Sequence, residues 1–543
     1  MRARKRAWPA SFDKYFKERG EKPAQPNRSV PSVKKSSTAG TLSPYQGTFD
    51  TKMSQHLLRR AAFGGSPAKL QEFEGASVDA AISQLVVDAI NRPMPTPPHW
   101  VNEGLPPDGS SDAVYQAYFD NNVEWGFSYS QQWILDLYEG GLRERMTLFW
   151  SDHFVTEIDV YFFAPMVYRY LTLLRTHALG NFKQMVYEIG IDPAMLNYLN
   201  GDVSYWWAPN ENYARELLEL FTMGQFDKNG NENYTQEDIT ELSRALTGWG
   251  IDYSTYNTSF DRGLHDFLKK TIFGVEASFD YEQVIDLIFE QRSEQIAYFV
   301  CAKLYAAFVQ DAPDDDIVQG LADIFLANDF EIAPVVEALL KSEHFYASEF
   351  RGAKIKSPVD MMVGLMHETG VTRFADNAHE VMYWMLRDMG QQLLQPPNVA
   401  GWPGYRDWIS TATLPNRWNT AHYLYVNVFT GNYVNLVPVA EKLIDPADPM
   451  LAFKLPALLA EHFVAVPPDQ LGFEASGQDF AGDLVTYPIP QEILDAPAHV
   501  RDLAKIFLQG NPWYEWHMNH PAVVFILLDY LQFLTELPEY QLA

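Results

Sequence analysis

From Thr51 to the C-terminus, apolar residues recur every three to four positions, in runs separated by short polar breaks. That period predicts amphipathic helices. It places them at 54–62, 67–91, 111–138, 141–157, 164–177, 180–189, 210–223, 235–247 and 280–290. Others follow at 293–309, 314–327, 332–342, 357–369, 378–389, 413–428, 448–463, 498–508 and 519–535. Thr235 with Asp238 three residues later forms a capping-box signature, and Gly248 and Gly370 stand where helices end. Alternating β patterns are scarce, and no period of internal repeat recurs. The expected fold is mainly α, a large multi-helix globule with long irregular loops and little or no sheet. Two irregular stretches interrupt the helices, 249–279 and 390–412. Loops of that length inside a compact domain usually carry function or lack order.

The helix at 209–224 carries the densest chemistry. It reads Pro-Asn-Glu-Asn-Tyr-Ala-Arg-Glu-Leu-Leu-Glu-Leu-Phe-Thr-Met-Gly. Asn210 suits the N-cap and Gly224 the C-terminal stop. Tyr213, Leu217, Leu220 and Phe221 form one stripe. Asn212, Glu216 and Glu219 fall on another, beside Glu211 and Arg215. A helix that only packs does not need three carboxylates, a guanidinium and two amides.

Composition then limits the function classes. The chain has 543 residues and a formal net charge of −29. Residues 1–45 carry 11 Lys/Arg against 3 Asp/Glu, and the rest carries 30 against 67. Two parts follow: a basic, Pro- and Ser-rich arm at 1–45, expected to be disordered, and a helical body at 46–543. An acidic body repels phosphate backbones, which argues against nucleic acid as a partner. Cys301, the one cysteine, lies on an apolar helix and reads as a buried small hydrophobe. No apolar run is long enough for a transmembrane segment. The charged N-terminus lacks the apolar segment of a standard signal peptide.

Several further groups are candidates for chemistry. His153 has Glu157 four residues on, so both would face one metal or one proton path if the helix continued. The bland reading is a hydrogen-bonded core histidine. Glu241 and Arg244 lie one turn apart on the helix after 210–223, and packing of the two helices would gather Glu216, Glu219 and Glu241 with Arg215 and Arg244. Such a cluster is either an ion network that sets helix register or an acid/base or divalent-metal site. The segment 396–408 is stiffened by Pro396, Pro397 and Pro403, and its Trp402 and Trp408 would either stack on a ligand or plug the loop onto the helices. Trp206 and Trp207 stand just ahead of the polar helix as an aromatic rim. His265 with Asp266, and the pair His517 and His520, are weaker signals.

Taken in order, these blocks resemble the bacterial DUF1800 family. The resemblance is carried by His56-Leu-Leu-Arg-Arg-Ala-Ala-Phe-Gly, Leu142-Arg-Glu-Arg-Met, Phe149-Trp-Ser-Asp-His-Phe and Asp192-Pro-Ala-Met-Leu-Asn-Tyr-Leu-Asn. It continues through the 209–224 helix, Ala245-Leu-Thr-Gly-Trp and Pro396-Pro-Asn-Val-Ala-Gly-Trp-Pro-Gly, and covers about residues 44–543. The resemblance implies no reaction. It implies an exported or envelope protein working beside a partner protein, although the front of this chain shows only the basic arm.

Two expectations follow. One is a hydrolase using Glu216, Glu219, Glu241 and His153, with Asn210, Asn212, Arg215, Arg244, Trp402 and Trp408 around the substrate and a divalent metal as an open option. The other is a non-catalytic cell-envelope module that binds a glycan or a partner protein.

Overall fold

The apolar period is realised as helix after helix. Helix makes up 57% of the structure, and its only sheets, among the described residues, are two small antiparallel hairpins. The computed structural model describes residues 41–428, 433–473 and 480–543. Residues 1–40 of the expected arm lie outside the described residues. Residues 41–45, also assigned to that arm, pack on the body. The Tyr45 amide donates to the Lys341 carbonyl at 2.8 Å, and its ring lies 4.7 Å from that of Tyr346.

Five helices position the site and are labelled in chain order: α1 Asp112–His153, α2 Pro193–Tyr198, α3 Glu211–Glu216, α4 Gln236–Ala245 and α5 Ser293–Phe308. The first is one run broken at Gly141, with φ 55° and ψ −136°, between the two helices that the sequence predicts. It stops at His153, four residues short of the expected end. Phe154 leaves the helical region, and Glu157 is extended at φ −115° and ψ 119°. Val155 and Thr156, both β-branched, favour that departure. His153 and Glu157 are therefore not one turn apart on a helix.

The stretch 249–279, expected to be irregular, folds into two hairpins. Strand β1 (Trp249–Asp252) pairs with β2 (Asn257–Phe260), and β3 (Lys270–Ile272) pairs with β4 (Val275–Ala277). Strands of three or four residues are too short to show a period of two. The core runs through the helical body, with Trp133, Trp150, Leu217, Phe221 and Leu304 fully enclosed. Helix α3 packs along α4, and α5 packs against the segment that follows α3.

Candidate active site

The polar helix begins as expected. Asn210 caps it by accepting from the Asn212 amide at 2.9 Å. After Glu216 the α-helix gives way to a π-helical turn, Leu217–Thr222, with one extra residue per turn. Thr222 Oγ1 donates to the Leu217 carbonyl at 2.5 Å, and the Met223 and Gly224 amides both donate to the Leu218 carbonyl. Gly224, at φ +73°, ends the turn in the left-handed region. Asn233 Nδ2 donates to the carbonyls of Met223 and Gly224 at 2.9 and 3.0 Å. Such turns recur at functional sites because they re-aim backbone and side chains.

Two side chains meet the carbonyls of this turn. Lys303, on α5, donates to Leu220 O and to His153 Nδ1, both at 3.1 Å. His153 Nε2 in turn faces Phe221 O at 2.9 Å. Nδ1 accepts and Nε2 donates, so the network assigns a neutral imidazole. Burial, reinforced by Lys303, holds its pKa well below the ordinary histidine value. Both ring nitrogens are committed, so His153 positions Lys303 rather than binding a metal. Burial also lowers Lys303 to about 8, opposed by the charge of Asp152. Asp152 accepts from the Trp402 amide at 2.7 Å, and burial raises its carboxyl to about 6.

Glu219 lies on this turn, Glu216 just before it and Glu157 on the extended segment after α1. Glu219 accepts from Tyr234 Oη at 3.2 Å, and Glu157 accepts from Tyr198 Oη, on α2, at 2.9 Å. Glu216 is half-buried and, among the described residues, accepts no hydrogen bond and forms no ion pair. Desolvation, then the neighbouring Glu219 charge, raises its pKa to about 7 against the pull of Arg215. The Tyr198 and Tyr234 hydroxyls are pushed up too, first by burial and then by the charges of Glu157 and Glu219 respectively. Asp152, Glu157, Glu216, Glu219 and Lys303 are all half-buried.

The remaining expected residues divide differently. Glu241 is not an electrostatic neighbour of Glu216. It accepts from Arg244 Nη1 at 2.7 Å and from the Thr271 amide at 3.1 Å, while Arg244 Nε bonds Asp266 at 2.7 Å. That satisfied network ties α4 to the hairpins. Arg215 turns to Glu211 and Gln236, which with Thr240 lace α3 to α4. Asn212 is exposed. Trp402 and Trp408 are each only 7% exposed, so neither ring offers a free face, and Trp402 serves the site through its backbone. Among the described residues, no three His, Cys, Asp or Glu side chains gather as a metal-ligating set. The better-formed surface clefts lie elsewhere, one beside Lys52, His56, Arg59 and Arg351 and one beside Phe49 and Phe73.

Asp152, Lys303, Tyr198 and Tyr234 were not among the expected site residues. Lys303 had a signal, a lone lysine inside the apolar run Tyr298–Phe308. Asp152 stood beside His153 in a block already singled out. The tyrosines had none, because their partners come from distant segments.

Comparison with known proteins adds one match. Residues 56–542 fit the family model described as a protein of unknown function, DUF1800. No curated protein and no solved structure matches.

Proposed function

The chain belongs to the DUF1800 family, and we propose that it is a hydrolase whose general acid is Glu216. One observation carries this reading. Glu216 is a half-buried carboxyl beside a second carboxylate, with no donor or cation bonded to it among the described residues. A structural carboxylate in such a place is normally paired. An unpaired one whose pKa is about 7 is poised to give and take a proton at neutral pH.

In this reading Glu216 protonates the leaving group. Glu219, held by the Tyr234 hydroxyl, or Glu157, held by Tyr198, provides the second carboxylate that activates water or steadies developing positive charge. Lys303, fixed by His153 and the Leu220 carbonyl, steadies the turn that carries Glu219.

The test is a panel of nitrophenyl glycosides and esters. The native chain should cleave at least one, with a rate that falls as pH rises through about 7, where Glu216 loses its proton. Glu216→Gln should lower kcat by roughly 100-fold or more. Absence of any cleavage, or a Gln variant with an undiminished rate, would overturn the assignment. A second reading, a non-catalytic binding module for a glycan or partner protein, draws on the exposed rings of Trp206 and Trp207.

A further inference from the structure

Between α2 and α3 the chain runs from Tyr198 to Asn210, so both ends of this loop lie at the candidate site. At its tip Trp206 and Trp207 are 53% and 51% exposed. The Trp207 ring stacks on Tyr205 at 4.9 Å and 26°, and Trp206 stands perpendicular to Trp207 at 5.3 Å and 87°. Four hydrogen bonds brace the loop, two within it and two from outside. The Trp206 amide donates to Leu264 O at 2.8 Å, and the Ala208 amide to Tyr205 O at 2.8 Å. The Asn210 amide donates to Ser204 Oγ at 3.0 Å, and the Gly248 amide to Ser204 O at 3.1 Å. These rings are therefore held out in fixed positions, unlike Trp402 and Trp408. From the N-cap Asn210 to Glu216 is six helical steps, about 9 Å along the axis.

We propose that Tyr205, Trp206 and Trp207 form a stacking platform for the pyranose rings of an uncharged or amino-sugar-containing polysaccharide, led past Glu216. The axial C–H bonds of a sugar face carry the partial positive charge that suits the negative face of an indole. Charge selects among the other partners of exposed aromatics. Nucleic acid bases and anionic lipid surfaces bring phosphates, and a body with 30 basic and 67 acidic residues repels them. The same charge disfavours a second copy of this chain. The stretch 202–211 that carries the rings holds two carboxylates, Asp202 and Glu211, and no cation, which suits a neutral or cationic sugar. The substrate role rests on the hydrolase reading, whereas the binding itself does not.

The experiment is native affinity electrophoresis of the full chain in gels containing hydroxyethylcellulose, glycol chitosan or polygalacturonate. Retardation is expected in one or both of the first two and not in the third. The Trp206→Ala/Trp207→Ala double variant keeps the net charge and alters only exposed rings, so it should fold, as circular dichroism would confirm. It should bind at least tenfold more weakly. Glu216→Gln should bind like the native chain, which separates failure of the platform from failure of the acid. Retardation by polygalacturonate alone, no retardation at all, or equal retardation of the double variant would overturn the platform. In that event, loss of a protein–protein contact in the double variant would identify a docking face instead.

Discussion

Glu216→Gln tests the reasoning about the site without knowledge of a substrate. In the folded chain the carboxyl holds its proton up to about pH 7, against an ordinary value of 4.5. Below pH 4.5 the folded and unfolded chains are both protonated, and the shift has no effect on stability. As pH rises from 4.5 to about 7 the unfolded chain releases its proton first, so the folded state progressively loses stability. Above 7 the loss is complete. At about 1.4 kcal/mol per pKa unit the ceiling is roughly 3 kcal/mol, and partial exposure reduces it to about 2 kcal/mol. Glutamine has no proton to lose. The variant should therefore match the native chain at pH 4 and exceed it at pH 8, with a Tm higher by about 2 °C for a chain of this size. Scanning calorimetry at the two pH values reads the difference directly. An ion-paired Glu216, the arrangement expected from the sequence, gives the opposite sign, because Gln would strand a buried cation at a cost of about 3–5 kcal/mol. A pH-independent difference, or a less stable variant at pH 8, would refute the account.

Other expectations follow from the same geometry. Gly401 sits at φ +82°, and a Cβ there would meet the Asp152 side chain and lie 2.7 Å from its carbonyl; Gly401→Ala should cost about 2–4 kcal/mol, read as a lowered Tm. Glu241→Gln should cost about 1–2 kcal/mol through weakened bonds to Arg244 and Thr271, and should leave the pH limb assigned to Glu216 where it is; a shifted limb would join the two networks after all. The His153 ring-nitrogen resonances, assigned with a His153→Gln variant, should keep the pattern of a neutral imidazole between pH 6 and 8, because burial beside Lys303 disfavours the imidazolium.

Much of the fold was legible because helices longer than two turns declare their period and their caps. The Thr235–Asp238 capping box and the Gly224 stop are where the sequence placed them. The hairpins of 249–279 escaped, being strands of four and three residues whose pairing is decided by turns. The site was legible in part. Helical spacing put Glu216 beside Glu219, a relation within one element. Glu241 was joined to them on the assumption that adjacent helices pool their charges, yet its partners are Arg244 on its own helix and Thr271 of β3. His153 was paired with Glu157 on the assumption that the helix continued past Phe154. Both errors concern relations between elements, which a spacing rule does not contain.

What singles out the π-turn is a contrast in how buried charge is satisfied. Arg175 bonds Glu144 at 2.7 Å and Asp136 at 2.8 Å, and Trp133 completes Glu144 at 2.9 Å. Arg59 meets Glu368 at 2.7 Å, and Arg145 pairs with Asp360. In each of these networks every carboxylate is bonded to a cation, as burial demands. At 216–219 the balance fails. Glu216 and Glu219 repel each other, Glu157 and Glu216 both act on the Tyr198 hydroxyl, and the cation beside Glu216, Arg215, is spent on Glu211 and Gln236. The π-turn aims the Leu220 and Phe221 carbonyls at Lys303 and His153, which holds the lysine beside Asp152. Elsewhere a buried charge without an ion pair is held by backbone groups, Asp192 by the Ala194 and Met195 amides and Arg60 by the Phe350 and Ala543 carbonyls, whereas Glu216 has no such bond and is retained at a stability cost of about 2 kcal/mol. Retention of that cost is what a site needing a proton held near neutrality would require.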